Sequence, residues 1–167
     1  MGCGKSSVGR KLSELLCCSF VDLDNVIKER EGRSIPEIFA TEGEATFRQM
    51  ELDALRTIIC HSDSQSNSKR HLVIALGGGT VMTNECAELV QNNTCCIYLK
   101  ASVETLVEHL AGEAAGRPML ADADLRTRIE TLMQQRAATY EKTAHIVIDT
   151  DGKSIEAVAS EIISKLG

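Results

Sequence analysis

The chain has 167 residues, 43% of them hydrophobic and 25% charged, with a formal net charge of -6 and an isoelectric point near 5.3. That length suits one domain with a real core, and the composition is that of ordinary globular material. The acidic balance argues against partners such as nucleic acid or a membrane surface, and no apolar run approaches the ~20 residues of a membrane span.

Taken in order, Val8, Leu12, Leu15 and Leu16 fall on one face of a helix over Lys5 to Cys18. It follows directly on Gly2-Cys3-Gly4-Lys5-Ser6. A short strand, Ser19 to Asp22, ends at Asp22-Leu23-Asp24, and a helix follows over Asn25 to Glu31, stopping at Gly32. Ser34 and Glu37 form a capping box around Pro36. Beyond Glu42-Gly43-Glu44 a long helix is predicted over Ala45 to Ile59, and residues 61–70 read as a mobile polar loop. His71 to Leu76 is a buried-type strand that runs into Gly77-Gly78-Gly79. Then come a helix from Asn84 to Gln91, a strand from Cys95 to Leu99 and a helix from Ser102 to Leu110. Residues 111–124 read as a lid. A helix over Leu125 to Glu141, a strand over His145 to Ile148 and a helix over Ser154 to Leu166 complete the chain.

Strands alternating with helices predict a doubly wound, three-layer α/β/α fold on one parallel sheet, as a single domain over residues 1–167. The seven cysteines at 3, 17, 18, 60, 86, 95 and 96 lack zinc spacing and read as reduced, small apolar residues. The histidines at 61, 71, 109 and 145 show no metal spacing and read as structural or surface groups.

Chemistry concentrates at the carboxyl ends of the strands, where open parallel sheets bind ligands. Gly2-x-Gly4-Lys5-Ser6 is the end of a phosphate loop: its glycines let backbone N–H groups approach phosphate oxygens at a helix N-terminus. Lys5 would reach the β- and γ-phosphates and Ser6 would serve Mg²⁺. Asp22 and Asp24 read either as a strand cap and a helix N-cap or as a metal-supporting and an acceptor-facing carboxylate. Three successive glycines at a buried strand end, Gly77 to Gly79, mark close approach of a ligand or another backbone. Arg48 is ambiguous between an ion pair with Glu51 and a ligand contact. Arg117, ahead of Pro118, and Arg136 have the same ambiguity.

These pieces together resemble the shikimate kinase family of P-loop kinases. The resemblance is carried by Gly2-Cys-Gly4-Lys5-Ser6-Ser7-Val8-Gly9, Asp22-Leu-Asp24, Gly32-Arg33-Ser34-Ile35 and Ile38-Phe39. It continues through Glu42-Gly43-Glu44, Phe47-Arg48, Gly77-Gly78-Gly79, Arg117-Pro118, and Arg136 with Tyr140. It implies a Mg²⁺-dependent transfer of the ATP γ-phosphoryl to the 3-hydroxyl of shikimate, in chorismate and aromatic amino acid biosynthesis. Gly2, Cys3, Gly4, Lys5, Ser6, Ser7, Arg117 and Lys153 would then serve ATP, and Ser6 and Asp22 the metal. Asp24, Arg48, Gly77, Gly78, Gly79 and Arg136 would hold shikimate, on helices within about residues 24–60 and on the later loops. Asp24, Lys5 and Arg117 would be catalytic. Ile35, Phe39 and Phe47 would wall the ring and Glu51 would steady Arg48.

One departure is at 109–110, where the family carries an arginine against adenine and this chain has His109 and Leu110. Another is that the first glycine of the loop and the strand feeding it would lie upstream of Met1. The expectation is of a recorded start inside a longer protein, with the chain as written poorly stable and weakly active. The sequence further suggests a monomer in the cytoplasm, or a plastid if a leading segment has been lost. Two other readings stand beside this one: a gluconate kinase-like enzyme, and a degenerate kinase-like binding module.

Overall fold

In a computed structural model, residues 2–64, 72–113 and 122–167 are described. Gly4 caps the first helix, α1 (Lys5–Leu15), in the left-handed region at φ 71°, a conformation that costs glycine little and other residues much. Gly2 is also left-handed, at φ 67°. Strand β1 (Ser19–Asp22) passes straight into α2 (Leu23–Glu31), whose N-cap is Asp22, its carboxylate accepting from the Asn25 N–H at 3.3 Å.

Helix α3 (Ile35–Ser64) begins at the expected capping box: Ser34 N–H donates to Glu37 Oε2 at 2.8 Å and Glu37 N–H returns to Ser34 Oγ at 3.4 Å. It breaks at Gly43, whose φ of 81° and ψ of 175° are not helical, so the acceptor-side helices anticipated around Glu42-Gly43-Glu44 are two arms of one kinked element. Its second arm reaches Ser64, four residues into the stretch read as a loop; residues 65–70 of that loop lie outside the described residues.

Strand β2 (Leu72–Ala75) leads through the glycines into a 3₁₀ turn (Thr80–Met82) and α4 (Asn84–Asn93). Strand β3 (Ile97–Lys100), α5 (Val103–Glu113), α6 (Asp122–Thr143), β4 (Ile146–Asp149) and α7 (Ile155–Leu166) follow. Of the stretch read as a lid, residues 111–113 belong to α5 and 122–124 to α6, and residues 114–121 lie outside the described residues.

The strands are parallel as anticipated, but they do not form one sheet. β1 pairs with β2 in register Ser19 to Leu72, and β3 pairs with β4 in register Ile97 to Ile146; among the described residues β2 and β3 do not pair with each other. Between them lies an apolar cavity of about 100 Å³ lined by Cys3, Leu76, Ile97, Tyr98, Leu99, Leu106 and Met133, among others. Tyr98 Oη is buried there and finds no hydrogen-bond partner among the described residues, a costly state for a phenol. The halves are joined by α1: Val8 and Leu12 pack in one cluster with Leu99 and Ile148 of the β3–β4 pair, Val158 and Ile162 of α7, and Val73 of β2. A second cluster, around Leu23, Ile27, Ile38 and Leu55, fixes α2 and α3 against each other. Burying each such side chain stabilises by about 1.5–3 kcal/mol, so both clusters hold the site's walls in place. The cysteines read as small apolar fillers are not all packed inside: Cys17, Cys60 and Cys95 are exposed.

Candidate active site

The strand ends and α1 converge on a cleft of about 430 Å³. One wall is the glycine loop and the start of α1: Gly2, Gly4, Lys5, Ser6 and Ser7. The other carries Asp22, Asp24, Arg48, Gly77, Gly78, Gly79 and Arg136, with Ile35, Phe39 and Phe47 as its apolar part. Residues scattered over more than a hundred positions of sequence thus share one space.

On the phosphate side, Ser6 Oγ donates to Asp22 Oδ2 at 2.7 Å. The same Asp22 caps α2 through its other oxygen, so the cap and the metal readings of this residue are both compatible with its geometry. Two adjacent hard oxygen donors beside a helix N-terminus suit Mg²⁺, which takes few protein ligands and completes its shell with water and phosphate oxygens. Cys3 faces the apolar cavity, where Lys5 Nζ approaches its sulfur at 3.8 Å. His109, read from sequence as structural or surface, places Nδ1 2.8 Å from the Gly2 carbonyl, and the Leu110 side chain packs over Gly2. This is what occupies the position where an arginine was looked for. Lys153 is not among the residues that line the cleft; it pairs with Glu161 at 2.6 Å. Arg117 lies outside the described residues.

On the acceptor side, Asp24 sits in the first turn of α2 with its carboxylate against Gly77: a Cβ added to that glycine would lie 2.8 Å from Asp24 Oδ1 and 3.1 Å from Glu51 Oε1. Burial pushes the Asp24 pKa up; the neighbouring carboxylates of Asp22 and Glu51 push it further, against a smaller pull from Lys5 and Lys28. A carboxylate so placed is a stronger base than an exposed one.

Arg48 is held from two sides. Nη1 donates to Glu51 Oε2 at 2.6 Å, while Nη2 and Nε donate to Glu44 Oε1 at 2.8 and 3.3 Å. Burial works against the cation, but the hydrogen bonds to Glu51 and Glu44 outweigh it and hold the pKa above the ordinary arginine value. The two partners differ: the Glu51 side chain is 1% exposed and that of Glu44 67%. Glu51 is thus a buried, fixed support and Glu44 an exposed partner open to exchange with solvent. The second Glu51 oxygen accepts from the fully buried Thr80 hydroxyl at 2.5 Å. Nothing in the sequence singled out Thr80; its position one residue past the three glycines was the only available signal.

The Arg48 guanidinium lies directly on Gly79, where a Cβ would come within 2.4–2.7 Å of its terminal atoms. Gly79→Ala is therefore expected to push Arg48 out of its seat and raise the KM for the acceptor by about tenfold or more, since a misplaced bidentate contact costs at least ~1.4 kcal/mol. Steady-state kinetics with each substrate varied in turn checks this, and an unchanged acceptor KM contradicts the close packing.

Arg136 and Tyr140, one turn apart on α6, both donate to the Gly78 carbonyl, Arg136 Nη1 at 3.2 Å. The cleft therefore brings together a glycine loop, a carboxylate of raised pKa and two arginines.

The family model for shikimate kinase matches residues 1–167. The chain belongs to the shikimate kinase family. It is 41% identical to the shikimate kinase of Thermus thermophilus over 166 residues, covering 99% of this chain and 85% of that protein. To the shikimate kinase of Rhodococcus erythropolis it is 36% identical over 165 residues, 99% and 92% of the two chains. Among solved structures, the shikimate kinase of Acinetobacter baumannii in complex with shikimate superposes with a TM-score of 0.85 at 30% identity, covering 99% of this chain and 88% of that one. That of Bacteroides thetaiotaomicron gives 0.86 at 25% identity, covering 99% and 93%. The expected P-loop kinase fold is thereby borne out.

Proposed function

We propose that this chain transfers the γ-phosphoryl of ATP to the 3-hydroxyl of shikimate, with its own residues in the following roles. The observation that carries the reading is the cleft itself, which sets a phosphate loop opposite Asp24, Arg48 and Arg136. Gly2, Cys3, Gly4 and Ser7 contribute the backbone of the phosphate loop, and Lys5 neutralises charge on the β- and γ-phosphates. Ser6 and Asp22 would hold Mg²⁺, which when bound neutralises charge on the transferring phosphoryl. Asp24 accepts the proton of the attacking hydroxyl, and its raised pKa supports that role. Arg48 and Arg136 fork onto the acceptor carboxylate, over Gly77, Gly78 and Gly79. Arg117 is assigned to the γ-phosphoryl and Lys153 to the nucleotide on the family resemblance alone.

The reading extends to a monomer in the cytosol. The net charge of -6 fits that setting, and no helix of the described residues is long and apolar enough to cross a membrane.

The test is ADP release with Mg-ATP and a panel of hydroxy acids. Turnover is expected with shikimate, far less with gluconate, and none after chelation of the divalent metal. Preference for gluconate would replace the acceptor. ATP binding by calorimetry with no turnover on any acid would favour a binding module instead. Turnover that survives chelation would remove Ser6 and Asp22 from their metal role.

A further inference from the structure

The Gly78 carbonyl stands at the junction of the two arginine seats. It takes one hydrogen bond from Arg136 and one from the Tyr140 hydroxyl, which a carbonyl with two lone pairs accommodates. The next residue, Gly79, carries the Arg48 guanidinium on its backbone. The peptide between Gly78 and Gly79 thus decides where both cations sit. Within the turn the Gly77 carbonyl accepts from the Thr80 N–H at 3.2 Å and the Gly79 carbonyl from the Met82 N–H at 3.0 Å, while the Gly78 carbonyl is held by the two α6 side chains.

The two donors to that carbonyl are unlike. Arg136 lines the cleft and, in the acceptor-binding reading, leaves the carbonyl to meet the substrate carboxylate. The Tyr140 ring is held: it lies 5.3 Å from the Tyr98 ring at an interplanar angle of 45°, and it packs on the cluster built around Leu23, Ile38 and Leu55. Tyr140 is absent from the residues lining the substrate cleft. We propose that Tyr140 is a positioning residue for the acceptor site. Its hydroxyl keeps the Gly78–Gly79 peptide in one orientation when Arg136 turns to the substrate, and so keeps Arg48 seated at the same time. The inference rests on the assignment of Arg48 and Arg136 to the acceptor carboxylate.

Tyr140→Phe removes the hydroxyl and keeps the ring, so the packing against Tyr98 survives. The expected result is a shikimate KM raised about tenfold, the scale of one lost hydrogen bond in a charged site. The KM for ATP is expected to stay the same and kcat to change by no more than about threefold. A general loosening of the fold would instead lower the melting temperature and affect both substrates. A double-mutant cycle with Arg136→Ala supplies the second arm, because two groups acting on one carbonyl are expected to be non-additive. A Tyr140→Phe shikimate KM within twofold of the parent's, with Arg136→Ala raising it, overturns the positioning role alone. Strictly additive effects in the cycle overturn it too. An unchanged shikimate KM in Arg136→Ala overturns the acceptor-site assignment, and the inference with it.

Discussion

Asp24→Asn is expected to lower kcat with shikimate by about 10²–10⁴, the usual contribution of a positioned proton acceptor, while ATP binding measured by calorimetry stays near that of the parent. Asparagine keeps the size and hydrogen-bonding ability of the side chain but cannot take the proton of the attacking hydroxyl. The parent enzyme should show the same group in its pH profile. Activity needs the ionised carboxylate, so kcat/KM is expected to rise with pH through a value above the ordinary carboxylate range, because burial and then Asp22 and Glu51 push Asp24 upward. The same shift has a sign for stability. Between the ordinary carboxyl pKa and the raised one, the native state binds more protons than the unfolded state, so Asp24 makes stability fall as pH rises through that window. At neutral pH its charge is therefore a net cost, and Asp24→Asn is expected to melt at the parent's temperature or above it. A variant that keeps near-normal turnover would remove Asp24 from the chemistry. One that loses turnover together with cooperative melting would point to a structural role.

Glu51→Ala is expected to have the largest effect on stability of any substitution in the cleft. Its carboxylate is 1% exposed and is shared between Arg48 and Thr80, at 2.6 and 2.5 Å. Removing it strands a buried hydroxyl and takes from Arg48 its fixed partner, leaving only the exposed Glu44. Breaking one side of a buried charge pair costs about 3–5 kcal/mol, which for a domain of this size lowers the melting temperature by roughly 10 °C. The KM for shikimate should rise as well, because Arg48 loses the support that aims it. Glu51→Gln retains an acceptor for Thr80 and should fall between the parent and Glu51→Ala in both measurements. A melting temperature within about 3 °C of the parent's for Glu51→Ala would show that the pair contributes little.

Local chemistry was legible in the sequence wherever it rested on residues a few positions apart. The Ser34–Glu37 box, the break at Gly43 and the Arg48–Glu51 pair all lie within one or two turns, and each forms as its spacing indicates, whereas α2 starts two residues earlier than expected, with Asp22 as its N-cap. The cleft followed from a rule about strand ends together with the family resemblance, and that was enough to bring Asp24, Arg48, Gly78 and Arg136 to one place. What stayed hidden were contacts between distant positions with no signature of their own. Thr80 meets Glu51 across 29 residues, Tyr140 meets Gly78 across 62, and His109 meets Gly2 across 107. Strand pairing has the same character. A run such as Leu72-Val-Ile-Ala75 announces a strand but not its neighbours, so the pairing of β1 with β2 and of β3 with β4 had no local signature.

α1 answers to two demands at once. Its first turn brings Lys5 and Ser6 to the cleft, while Val8 and Leu12 further along seat it among Leu99, Ile148, Val158 and Ile162. The aim of the two polar side chains is therefore borrowed from apolar packing several residues away. A smaller side chain at either apolar position would be felt in the cleft as well as in the core.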